Sequence, residues 1–300
     1  MSISQGARSQ FNYVSETVWG TTPALPETQT VPFMTFGVNL TKDNHEDNSI
    51  QADGMAHYLI PGNRHVGGDL DVNFCHGNYN PFLKSLMLND FDTHVLKKGT
   101  TRYSMSGELK NLDIGVSRIF TGLIVDKMQV TVPTSGFVTA KFSLVGKDMT
   151  IGATSLDATP TAPTAKKPLV HNGGSFKEGG TTIGYLQSIT FTVDNGYSMN
   201  NVLGSDVARD ATYAMQKISG TVVAYFEDAS MATKFMNGSA SSIEFELTDG
   251  TNTCNFKFPE IYYTGANQTV QGAGPITLTM TFVAVKNEAA GTNMIYTESA

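Results

Sequence analysis

From residue 33 onward, apolar and polar residues alternate with the period of two that sends successive side chains to opposite faces of a strand. Leu70, Val72 and Phe74 share one face, and Asp69, Asp71 and Asn73 the other. Val138, Ala140, Phe142 and Leu144 stand opposite Thr139, Lys141 and Ser143. Val125, Lys127 and Gln129 alternate with Asp126, Met128, Val130 and Val132. One segment breaks the period. Pro81 suits a first helical turn, where its missing N–H costs nothing. Phe82, Leu83, Leu86 and Met87 follow at helical spacing, which predicts one short helix over 80–88.

The second half of the chain echoes the first in the same order. Residues 190–193 resemble 35–38, and 201–206 resemble 48–53. Residues 219–226 resemble 67–74, 231–236 resemble the helix at 81–87, and 276–286 resemble 138–147. The spacing is about 150 to 155 residues up to the helix and about 140 after it, a step expected if the first copy carries a longer loop around 91–102. The expected organisation is an N-terminal arm (1–32), a first unit (33–151), a Pro/Gly-rich linker (152–183), a second unit (184–287) and a C-terminal tail (288–300). The expected fold class is mainly β: two tandem antiparallel β-sandwich or barrel units, each with one short flanking α-helix.

Composition narrows the function. Only 16% of the residues are charged, against roughly 25% in an average soluble domain. The chain holds 29 Gly, 17 Phe and 11 Tyr, which suits strands and turns. A net charge of −7 without a basic run excludes a typical reader of duplex DNA. Cys75 and Cys254 are too few for a disulfide framework, and Cys254 alternates with Phe256 and Phe258 as a core residue does. The start of the chain lacks the pattern of a signal peptide, and no apolar run reaches membrane-spanning length, so a cytosol-like site of synthesis is expected.

Candidate chemistry is thin. Phosphate-cradling glycine motifs are missing. Ser175 lacks the second glycine of a nucleophile elbow, because Lys177 stands there. The six histidines show no metal-ligand spacing, although His57 and His65 flank one loop. Cys75 and His76 are adjacent on a strand and point to opposite faces. The acidic stretch 43–48 lacks the central Gly and the twelfth-position Glu of a calcium loop. No enzyme, cofactor or metal site is therefore expected.

Nearly charge-free strands at 189–193, 221–226 and 276–285 would be aggregation-prone edges in a monomer and are natural interfaces in an assembly. Phe11, Tyr13 and Trp19 in the arm, and Met294, Ile295 and Tyr296 near the C-terminus, are the candidate contacts between subunits or rings.

These features meet in one resemblance. The opening Tyr13-Val-Ser-Glu-Thr-Val-Trp-Gly-Thr-Thr-Pro23, the segment Phe142-Ser-Leu-Val-Gly-Lys147, and the stretch 188–195 followed by Leu203-Gly204 and 219–228 resemble the major tail tube proteins of long-tailed bacteriophages. The resemblance covers about residues 6–296. It implies a structural virion protein built on a β-sandwich or barrel with a flanking helix. It also implies homo-oligomeric rings whose strands close a barrel around a lumen. Such rings stack into a conduit for DNA and meet other tail proteins at its ends. Most such rings are hexamers of one-unit subunits, so two units per chain suggest a trimeric, pseudo-hexameric ring. Assembly in the host cytoplasm and passage of DNA without specific binding are also implied. A neutral or acidic lumen wall is expected, with Asp69 and Asp71 as lumen or outer-surface acids. The alternative is a tail-tip or capsid-decorating β-sandwich that binds a receptor.

Overall fold

The computed structural model describes residues 3–172, 174–270 and 272–299. Strand accounts for 52% of the chain and helix for 6%, so the class is mainly β. The first strands are β1 (Ser9–Glu16), β2 (Gln29–Val31), β3 (Thr35–Phe36), β4 (Asn39–Glu46) and β5 (Leu59–Asn73). Helix α1 (Asn80–Met87) follows, then β6 (Val95–Lys97), β7 (Ser104–Asn111), β8 (Val116–Val132), β9 (Thr139–Gly146) and β10 (Asp148–Gly152). Next come β11 (Phe176–Glu178), β12 (Thr181–Thr182), β13 (Leu186–Asp194), β14 (Ser198–Asn200), β15 (Asp210–Thr212) and β16 (Lys217–Tyr225). Helix α2 (Ser230–Asn237) precedes β17 (Ser241–Thr248), β18 (Thr253–Thr269), β19 (Thr277–Ala284) and β20 (Ile295–Glu298).

Eight strands form one continuous antiparallel run in the order β4–β5–β9–β8–β13–β16–β19–β18. The first four and the last four are joined by a seam between β8 and β13. Both 17-residue strands, β8 and β18, pass through a bulge and continue into a second layer. There β8 pairs with β7 and β10, and β7 with β1. Likewise β18 pairs with β17 and β20, and β17 with β11. Aromatic rings fill the space between the layers. Phe36 packs on Phe11 and Phe120 at 4.7 and 5.6 Å between ring centres, and Phe191 on Phe258 at 5.1 Å.

The predicted helix is present as α1, with Pro81 in its first turn and Phe82, Leu83, Leu86 and Met87 buried. The faces read for β5 and β9 hold as well: Leu70, Val72, Ala140, Phe142 and Leu144 are buried. The simple alternation fails at one place. The bulge at Asp126 lets both Val125 and Met128 turn inward, while Lys127 and Gln129 face out. A period of two cannot anticipate an inserted residue.

Three other regions differ from the expectation. Residues 9–16 are not part of an extended arm; they form β1, a core strand between β2 and β7. The segment 152–183 is not a free linker, because Leu169 is fully buried, Val170 bonds Thr248, and β11 joins a sheet. Its Lys166 is exposed and also donates to the Asn252 side chain at 2.6 Å. The acidic stretch 43–48 runs mostly along β4 as one arm of a long hairpin. In each case polar and Pro-rich composition hid a segment that pairs with strands distant in sequence.

Candidate functional site

The eight-stranded run has two unlike faces. One face belongs to the core, with Leu70, Phe142, Met128, Phe191, Val222 and Met280 at 0–1% exposure. The other is polar, and its rows can be followed strand by strand. Asp71 stands opposite Lys141, then Gln129, Thr192, Ser219 and Val283 follow. A second row runs Asn73, Thr139, Thr131, Thr190, Thr221, Thr281 and Gly265. A third runs Asp69, Ser143, Lys127, Asp194 and Lys217.

Along these three rows the acids Asp69, Asp71 and Asp194 are matched by Lys127, Lys141 and Lys217, so the charges cancel. Lys141 Nζ lies 3.3 Å from Asp69 and 3.8 Å from Asp71. Lys127 lies 2.9 Å from Asp194. The hydrogen-bonding carboxylates beside them raise the pKa of both lysines, which keeps them charged. The face is therefore rich in hydroxyl and amide groups and electrically balanced. The acidic excess of the whole chain does not collect along these rows.

The run ends on two open edges. Among the described residues, β3 and β4 pair only with β5, and residues 264–269 of β18 pair only with β19. The edge stretches 37–41 and 265–269 contain neither charge nor Pro, which are the usual devices that blunt a strand edge.

The predicted contact residues lie elsewhere. Phe11, Tyr13, Met294 and Tyr296 are buried in the chain's own core and Ile295 is half-buried, so their side chains already have partners. Trp19 donates Nε1–H to the Gly122 carbonyl at 3.0 Å, with Lys147 and Arg102 over its ring. The Tyr296 ring packs on Phe256 at 4.9 Å, and β20 is clasped between β18 and β6. Apolar residues near both ends of the chain are close to strand partners that sequence spacing does not reveal. Asp69 and Asp71 do lie on the polar face. The open edges had no residue-level sequence signal beyond their lack of charge.

His57 and His65 do not meet; each bonds a nearby acid, Asp53 at 2.7 Å and Asp43 at 3.0 Å. Cys75 and Cys254 are buried free thiols, and burial pushes Cys254 up to about 12. Among the described residues no cluster of three or more His, Cys, Asp or Glu is placed to hold a metal ion, and no helix is long and apolar enough to cross a membrane.

An antiparallel β protein with a covered face, a balanced polar face and two unblunted edges is built as a structural subunit for assembly. The sequence agrees: residues 6–284 match the phage tail tube protein family, and the chain belongs to it. It is thus a structural component of a phage tail that assembles with copies of itself and with other tail proteins. A comparison with the curated proteins finds no match.

Proposed function

We propose that this chain forms stacked rings that make the conduit for DNA in the phage tail, and that the polar face of the eight-stranded run lines the lumen. The observation that carries the reading is the charge-balanced, hydroxyl-rich face on an otherwise core-packed sheet. A wall without net charge offers no phosphate trap and lets DNA slide, whereas a basic wall would bind it. Assembly takes place in the host cytoplasm, and other tail proteins cap the tube.

Each ring contains three chains. The support is the recurrence of one strand series in the chain. Helix α1 and strands β7, β8 and β9 have 8, 8, 17 and 8 residues, and α2, β17, β18 and β19 have the same lengths in the same order. The pairings β5–β9–β8–β7 recur as β16–β19–β18–β17. The first series has the longer connection after its helix, residues 88–103 against 238–240, as the step in sequence spacing requires. In this reading β1 and β11 open the two units, since β1 pairs with β7 and β11 with the corresponding β17.

Electron microscopy of the purified chain at high concentration tests the function. Stacked rings with a central channel are expected, with three chains per ring by native mass spectrometry or image reconstruction. Six chains per ring would overturn the trimer, and a persistently monomeric chain would overturn the conduit.

A further inference from the structure

The seam inside the chain specifies the seam between chains. Resting on the tube reading above, we infer that residues 265–269 of one chain pair antiparallel with residues 37–41 of the next, with Asn267 opposite Asn39.

The register follows from matching ladders. Val125 and Lys127 of β8 face Leu144 and Ser143 across a bulge, and Tyr263 and Gly265 of β18 face Phe282 and Thr281 across a bulge of the same form. Gln129 therefore corresponds to Asn267, because they face Lys141 and Thr279 respectively, each two residues further along. Val66 faces Gly146 as Ile218 faces Ala284. Leu40 faces Val66 as Val193 faces Ile218, so Leu40 corresponds to Val193 and Asn39 to Thr192. A close backbone approach marks the same alignment independently. A Cβ on Gly68 would strike the Gly37 carbonyl, and one on Gly220 would lie 2.8 Å from the Thr190 carbonyl.

Within the chain, Thr192 faces Gln129 and Val193 faces Met128 across the β8–β13 seam. Transferring that seam to the two open edges sets Asn39 opposite Asn267 and Leu40 opposite Ala266. The hydrogen bonds fit as well. Asn195 N–H donates to the Asp126 carbonyl at 2.9 Å, and alternation along the ladder then makes Thr192 and Gln129 a non-hydrogen-bonded pair. On β3 and β4, Gly37 N–H donates to Asp69 on the β5 side, which turns the backbone groups of Val38 and Leu40 outward to the open edge.

The helices supply a second observation. Both end in a left-handed cap, Leu88 and Gly238, whose N–H bonds Lys84 and Lys234 respectively. Leu86 of α1 is fully buried, and its carbonyl accepts from Asn195 and Gln216, which lie just beyond the seam. The corresponding Met236 of α2 is 82% exposed. At this position the helix beside the filled seam is covered, and the one beside the open edge leaves its side chain exposed. A second copy joining head to tail covers it, and repetition of such a heterologous contact closes a ring.

Cysteine pairs read the register. Opposed non-hydrogen-bonded residues have Cα atoms about 4.5 Å apart, within disulfide reach. Both asparagines are exposed, and the native cysteines are buried. The variant carrying N39C and N267C, assembled under reduction and then oxidised, should yield a covalent ladder ending at one closed ring. Mixing N39C chains with N267C chains should stop at dimers, and the shifted pair N39C with T269C should cross-link at least tenfold less. Rings seen by microscopy without the Asn39–Asn267 cross-link, or with equal cross-linking of the shifted pair, overturn this register and leave the tube reading intact. Wild-type chain that never forms rings overturns both.

Discussion

The Asn195 side chain donates Nδ2–H to the carbonyl oxygen of Leu86 at 2.8 Å, in full burial. That bond ties the last turn of α1 to the end of β13, so it links the two four-stranded blocks of the sheet. Gln216 donates to the same carbonyl at 3.3 Å and also to Asn195 Oδ1 at 3.0 Å. Replacing Asn195 by Leu removes a buried donor and an acceptor from this small network. The expected cost is about 1–3 kcal/mol, the penalty for unpaired buried polar groups. Urea unfolding of the variant should show a lower midpoint with an unchanged slope.

A second buried polar cluster sits beneath α2. Glu178 is 5% exposed and accepts from Lys234 at 2.6 Å, from Ser241 at 2.6 Å and from Tyr263 at 3.2 Å. Lys234 is the more accessible partner, with 30% of its side chain exposed. Removal of the lysine strands a buried carboxylate, whereas neutralising the acid leaves a lysine that reaches water. Lys234→Ala should therefore cost about 2–3 kcal/mol and Glu178→Gln only about 1 kcal/mol. Thermal unfolding of the two variants checks the order; an equal loss from both would argue against a buried charge pair.

Much of this protein was legible from its pattern, and the losses have physical causes. Helix α1 announced itself through Pro81 and the spacing of Phe82, Leu83, Leu86 and Met87. Strands β5 and β9 kept their alternation because one face is core and the other polar. Strand β1 was hidden because its partners lie on distant segments: Phe11 faces Val31 on one side and Leu109 on the other. The same remoteness concealed β20, which lies between β18 and β6. Alternation puts Asp69 and Asp71 opposite Leu70 and Val72, but their shared ion pair with Lys141 needed the β5–β9 register. The open edges are defined by pairings that do not occur, which local sequence does not record.

Gly68 is a position where the backbone itself dictates the residue. Its φ is +146°, and a side chain there would meet the Gly37 carbonyl and the Val38 backbone. Gly68→Ala should force β3 and β4 away from β5, at a cost of about 1–3 kcal/mol as for other overpacked sites. Because the displaced strands form the open edge, assembly should suffer more than folding. Comparing the unfolding midpoint with the concentration at which rings appear separates the two effects.

Lys98 gives the molecule a defined response to alkaline pH. Its amine donates to the Gly99 carbonyl at 2.9 Å and lies 5.2 Å from the centre of the Tyr213 ring. Burial lowers its pKa from 10.5 to about 8. Between these values the unfolded chain keeps a proton that the native chain has released, so this group makes stability rise with pH through the window. Below about 8 both states are charged and the full penalty of burial is present. Lys98→Met should raise the melting temperature at pH 7 and narrow its advantage by pH 10. An advantage that does not shrink as pH rises would mean that the native amine is not desolvated.

The polar face makes a prediction about DNA that reaches beyond stability. Asp69 and Asp71 flank Lys141 and are two of the three acids that balance three lysines along the rows of the polar face. Changing both to Lys converts two negative charges into two positive ones on every chain, and each ring repeats the change. If the face lines the conduit, DNA inside would release counterions on contact and adhere. Purified variant tubes should retain DNA that wild-type tubes let pass, with retention falling steeply as salt is raised. The milder D69N and D71N variants test whether loss of the acids alone is enough; with only one added net positive charge per site, weak retention is expected. Tube length should not change, because the open edges carry neither residue. In phage particles the double-Lys variant should eject its genome more slowly at low salt and recover at high salt. Unchanged retention and ejection in tubes of normal length would place this face away from the DNA.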